Sequence, residues 1–150
     1  MNYLYRLFRI NLSNVHDRNA YYLVLEIFWA SMLVAAATFN AAFAIRLGSS
    51  NTSIGLLTSL PALLAVILSI PAGRFLKRHA NGRSWLLGSL TVHRAGFVLV
   101  ALIPWMPVRE EWLGPLVVAV LILMTAPVAL FNVGFIPMLG TVIPEERRAA

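Results

Sequence analysis

The chain has 150 residues, 59% hydrophobic and 12% charged, with a mean hydropathy of +0.78. That is more apolar surface than one water-soluble core of this size could bury. The net charge of +6 does not imply nucleic acid, because the Lys and Arg residues sit in short connectors between apolar runs rather than among aromatics on one polar face. The absence of cysteine excludes a disulfide framework and any thiolate metal site. The composition implies an all-α, polytopic membrane protein with four transmembrane helices.

The first apolar run starts only after some twenty residues and is about twice the ~7–15 residues of a signal-peptide core, so no cleavable signal is expected and Met1 reads as a true start. Residues 1–19 carry Tyr3, Leu4, Leu7, Phe8 and Ile10 with Arg6, Arg9 and Arg18 between them. They form either a short amphipathic helix in the headgroup region or an ordinary frayed terminus. Residues 20–45 follow as the first crossing, long enough at ~1.5 Å per residue for a hydrocarbon core of ~30 Å with some tilt.

After a polar turn, Ser53 or Thr52 is expected to cap a second helix over residues 53–76. Its prolines, Pro61 and Pro71, are tolerable in lipid if neighbouring helices or the hydroxyls of Ser59 and Ser69 satisfy the freed carbonyls. The basic loop Lys77–Arg83 leads to a third helix over 85–103, which ends at Pro104-Trp105-Met106-Pro107. A fourth runs over 113–139, interrupted by Pro127 and Pro137. Residues 143–150 form a polar connector that reads as truncated, so a fragment is expected.

Charge sets the orientation. Arg6, Arg9, Arg18, Arg74, Lys77, Arg78, Arg83, Arg147 and Arg148 fall on one side and only Arg46 and Arg109 on the other. This bias places the amino terminus in the cytoplasm, most simply that of a cell (inner) membrane. An internal echo accompanies it: Phe39-Asn40 through Leu47-Gly48 aligns without gaps with Phe131-Asn132 through Leu139-Gly140. Three crossings apart, the two segments would traverse the membrane in opposite directions, as in an inverted three-helix repeat; chance similarity in apolar sequence is the alternative.

Glu26, His93 and Arg94 are the ionisable groups expected well inside the membrane, where a charge costs roughly 2.5–3.5 kcal/mol on insertion scales. Arg94 could snorkel towards Glu26. The pair is then either a structural tie between helices one and three or a substrate- or proton-facing carboxylate with its partner. Helical spacing puts Glu26, Trp29, Leu33, Ala37 and Asn40 in one stripe, and Thr125, Ala129 and Asn132 in another. Each stripe lines a cavity or forms a helix–helix seam. His93, alone beside Arg94, is expected to be a satisfied bundle histidine. No metal-ligand spacing, catalytic constellation or phosphate-binding glycine loop is present, so no metal, no cofactor and no enzymatic activity are expected.

The run Gly73-Arg74-Phe75-Leu76-Lys77-Arg78-His79-Ala80-Asn81-Gly82-Arg83 resembles the cytoplasmic loop between helices two and three of the major facilitator superfamily, of the form G-x-L-A-D-R-x-G-R-R. Gly73 and Arg78 match directly, and Gly82 and Arg83 match after an insertion of about two residues. Lys77 stands where the family has an acid. The resemblance implies a partial facilitator-type helical bundle, the amino-terminal four of twelve helices of a secondary transporter, with helices one and four lining a central cavity. It implies as partners the bilayer, a small solute, protons as a candidate coupling ion, and the remainder of its own chain or another membrane subunit. A non-transporting four-helix subunit or scaffold is the alternative.

Overall fold

The computed structural model describes residues 13–79 and 81–142. The expected interfacial segment over residues 1–12, Ala80 of the basic loop and the connector over 143–150 lie outside the described residues. The elements are α1 (Val15–Ala37), α2 (Asn40–Arg46), α3 (Asn51–Arg78), α4 (Gly82–Leu102), a 3-10 turn (Ile103–Trp105), α5 (Glu110–Leu123) and α6 (Thr125–Val142). Among the described residues there is no strand. Asp17–Ala37, Asn51–Arg78, Gly82–Trp105 and Glu110–Gly140 are each helical, long and apolar enough to cross a membrane. The chain is an all-α, integral, multi-pass membrane protein.

The described residues fall into two compact units, one holding 13–38 and 138–142, the other Phe39–Pro137. In the first unit, α1 begins five residues before the expected start, with Asp17 in the first turn, where a carboxylate complements the helix dipole. It is not continuous to residue 45 as expected. Thr38 turns both its backbone N–H (3.3 Å) and its hydroxyl (2.7 Å) onto the carbonyl of Ala35, and the helix ends at Ala37. A β-branched residue whose hydroxyl competes for backbone carbonyls is a weak point in a helix.

In the second unit, α2 closes with the Ser49 N–H on the Ala44 carbonyl and the Gly48 N–H on that of Ile45. This motif needs a left-handed residue after the helix, and Gly48 supplies it at φ 87°. Ser50, not Ser53 or Thr52, caps α3: its hydroxyl accepts from the Ser53 N–H at 3.2 Å. The prolines of α3 leave the helix unbroken, but the nearby hydroxyls do not serve the freed carbonyls. Ser59 donates to the Gly55 carbonyl and Ser69 to that of Val66. A serine reaches back three or four residues, whereas Pro61 and Pro71 free the carbonyls of Leu57 and Ile67, two residues before those serines.

Most of the expected basic loop is helix: α3 includes Lys77 and Arg78, and α4 starts at Gly82, so only residues 79–81 connect them. The fourth crossing breaks at Met124. Pro127 has no N–H for the Leu123 carbonyl and its ring crowds that carbonyl, so the break precedes the proline by one turn. Pro137 lies within α6 without ending it.

The buried core consists of Ala44, Val100, Ile103, Val117 and Val118, flanked by Phe43, Leu47, Ile54 and Leu57. These residues come from the end of α2, the start of α3, the end of α4, the 3-10 turn and the middle of α5, so the core sits towards the end of the unit that carries the turns 47–50 and 106–109. Lipid offers no hydrophobic drive for helices to associate, so close approach at small residues matters here. Gly114 provides it: a Cβ there would lie 2.5 Å from the Ser49 backbone nitrogen and 2.8 Å from the Leu47 carbonyl oxygen. At this end Arg109 pairs with Glu111 at 3.2 Å, a well-exposed bridge worth little to stability.

Candidate functional site

The residues of α4 that turn inward follow three- and four-residue spacing: Leu86, Ser89, Gly96 and Val100 are buried, and Ile103 continues the line. Two contacts show what they face. The Met124 side chain fills the notch at Gly96, and the Leu86 and Leu76 side chains fill that at Gly134. Hence α4 runs antiparallel to the α5–α6 crossing, position 96 beside 124 and position 86 beside 134. Thr125 and Ala129 are buried on α6.

His93 occupies the vacant step of this line, between Ser89 and Gly96. Its ring meets Phe97 edge-on at 5.2 Å, and its Nδ1 is buried without a hydrogen-bond partner. Leaving such an atom unsatisfied costs about 1–3 kcal/mol, and the Ser49 hydroxyl at the other end of the unit is in the same position. Ser89 is satisfied within its own helix, donating to the Leu86 carbonyl at 2.8 Å. From Asn51 to Gly73 and from Trp112 to Ile143 no side chain is ionisable, so His93 and Arg94 are the ionisable groups within these crossings. The inward line of α4 is apolar except for Ser89 and His93, and Thr125 is the buried polar residue of α6.

The candidate residues read from the sequence are distributed differently. In the first unit, Glu26 is half-buried on a line with Leu23, Ala30, Leu33 and Ala37, whereas Trp29 is 62% exposed and stacks edge-on against Phe28. Trp29 thus does not share the stripe with Glu26. Asn40 lies beyond the end of that helix and opens α2 in the other unit. There Asn40 and Arg94 are half-buried and Asn132 is exposed. On α6 the buried face passes from Thr125 and Ala129 to Gly134, leaving Asn132 at its edge.

The echo segments also differ locally. Asn40 follows a helix break and Gly48 ends α2, while Asn132 and Gly140 both lie inside α6. His93, expected to be a satisfied bundle histidine, does lie in register with the inward line 86, 89, 96, 100 and 103, but its Nδ1 has no hydrogen-bond partner among the described residues.

Of the loop motif, Gly73 faces Val133 at ordinary contact distance, Arg78 is the last residue of α3, and Gly82 and Arg83 open α4. The connector is braced by rings: Phe75 to His79 at 4.1 Å, Phe75 to Trp85 at 4.8 Å and His79 to Trp85 at 5.5 Å. The His79 Nδ1 lies 2.8 Å from the Phe75 carbonyl oxygen. Among the described residues no three His, Asp or Glu side chains gather as a metal site. Comparison with protein-family models, curated proteins and solved structures returns no match.

Proposed function

We propose that the chain is the amino-terminal portion of a secondary active transporter that moves a small solute across the membrane by alternating access. The observation that carries this reading is the polar pair Ser89 and His93 on the inward line of an apolar crossing, with the His93 Nδ1 buried and without a hydrogen-bond partner among the described residues. Intramembrane ionisable groups are costly, and they characteristically mark solute or proton paths. In this reading the amino terminus is cytoplasmic and the membrane is the cell (inner) membrane, since Arg74, Lys77, Arg78 and Arg83 flank the 79–81 connector while Arg46 and Arg109 flank the turns at the other end. The resemblance of the 73–83 run to the facilitator loop supports the same assignment.

A non-transporting subunit or scaffold is the second reading. It is favoured by the most apolar 18-residue windows of α1 and α3, in which no residue is buried, leaving broad faces for other helices or lipid. For the transporter those faces meet the remainder of its own chain.

Proteoliposomes containing the full-length protein, screened with labelled small solutes with and without a proton gradient, separate the two. Saturable uptake is expected of the transporter; its absence across the panel, with co-purification of a stoichiometric membrane partner, favours the subunit. Glu26 is the candidate coupling carboxylate. Uptake by Glu26→Gln is expected to lose its dependence on pH, and uptake that stays pH-dependent would remove Glu26 from the coupling step.

A further inference from the structure

The connector between α3 and α4 carries a charge pattern that the transport reading uses only to set orientation and to support the facilitator resemblance. Arg74, Lys77 and Arg78 share one face of the last turns of α3, at three- and four-residue spacing, and Arg83 stands in the first turn of α4; all four are exposed. Lys77 and Arg78 complement the negative end of the α3 dipole, but Arg83 opposes the positive end of α4, so helix stability does not account for it. No carboxylate within the unit answers these charges. Between residues 39 and 137 the only acids are Glu110 and Glu111, which lie beyond the far end of α4, a helix of 21 residues and so about 30 Å long.

The Phe75, His79 and Trp85 rings brace the connector and hold the two basic groups beside one another, and Trp85, 44% exposed, sits at the boundary between the apolar helix and its charged end. An amphipathic indole beside cations at the end of a membrane-crossing helix belongs at headgroup depth. The hydrogen bond of His79 Nδ1 to a carbonyl requires its proton on that nitrogen and leaves Nε2 as the other ring nitrogen for a ligand.

From this arrangement we infer that Arg74, Lys77, Arg78, Arg83 and Trp85 form a binding site for the phosphate of an anionic phospholipid headgroup. The guanidinium groups of Arg78 and Arg83 bind phosphate oxygens in their planar fork, and Trp85 packs on the glycerol and upper acyl region. The counter-charge missing from this unit is supplied by the lipid.

The test uses the full-length protein in which every tryptophan except Trp85 is replaced by phenylalanine, Trp29, Trp105 and Trp112 among them, in nanodiscs of phosphatidylcholine and phosphatidylglycerol. Either lipid carries brominated acyl chains, which quench tryptophan on contact. Brominated phosphatidylglycerol is expected to quench Trp85 several-fold more effectively than brominated phosphatidylcholine at equal mole fraction. The pair Arg78→Gln and Arg83→Gln is expected to lower that preference by about fivefold or more, whereas Arg78→Lys with Arg83→Lys retains most of it. Should the glutamine pair not fold, Arg74→Gln and Lys77→Gln singly are expected to show the same direction. Equal quenching by both lipids, or a preference that the glutamine variants leave intact, would overturn the site. Loss of the preference on adding millimolar inorganic phosphate would overturn the lipid assignment in favour of free phosphate.

Discussion

Gly114→Ala is expected to destabilise the protein by about 2 kcal/mol and Gly114→Val by about 3 kcal/mol or more. The added Cβ meets backbone, the Ser49 nitrogen at 2.5 Å and the Leu47 carbonyl oxygen at 2.8 Å, so no rotamer change relieves the clash. Nor can the turn retreat freely. Gly48 holds it at a positive φ, the Ser49 hydroxyl is already buried without a partner, and Ala44 just before it belongs to the fully packed core. Two other glycines calibrate the effect. Gly55→Ala and Gly88→Ala, where nothing lies within 4 Å of the new Cβ, are expected to be neutral or to stabilise by up to about 1 kcal/mol. Gly96→Ala falls between, because its neighbour is the flexible Met124 side chain, which can swing aside. Unfolding in mixed micelles with increasing dodecyl sulfate measures the series; Gly114→Ala behaving like Gly88→Ala would remove the contact on which the packing of α2 and α5 rests.

The second large effect separates stability from activity. Replacing a buried, unsatisfied polar atom by an apolar group of similar size relieves a desolvation penalty, so His93→Leu is expected to stabilise the protein by about 1 kcal/mol. The same variant is expected to lower solute uptake at least tenfold, since it erases the central polar group of the seam; a site kept at a cost to stability is where the two properties diverge. His93→Gln, which keeps hydrogen-bonding capacity, is expected to retain more uptake than His93→Leu. Parallel unfolding and uptake measurements check both halves. A His93→Leu protein that is less stable than the parent and transports as well would show His93 to be an ordinary packing residue.

Much of the fold was legible because the bilayer imposes long apolar helices and because charged residues interrupt them only at connectors. Residues 51–78, 82–105 and 110–140 needed no more than length and hydropathy. The helix ends were harder. The break at Thr38 depends on one hydroxyl finding a carbonyl, and the break at Met124 was misplaced onto Pro127 itself although a proline acts on the carbonyl four residues earlier. The site was less legible still. Trp29 and Asn132 shared a nominal helical stripe with polar neighbours, yet an ideal 100° step takes no account of a break such as Ala37–Asn40 or of a contact face that turns along α6 towards Gly134. His93 became prominent only once Gly96 and Gly134 showed which face of α4 meets the fourth crossing.

Uptake screens depend on guessing the solute, whereas the claim that this seam opens alternately to water on each side of the membrane can be tested without one. The chain has no cysteine, so Ser89→Cys introduces a single thiol at the seam, and Ser84→Cys an exposed one near the connector for comparison. Reaction of each with a membrane-impermeant maleimide, added separately to either face of sealed vesicles, is the measurement. Alternating access predicts that the thiol at position 89 reacts from both faces, more slowly than the thiol at position 84 reacts from its one face, because the buried seam must open first. A thiol at position 89 that resists the reagent from both faces while position 84 reacts would contradict the account.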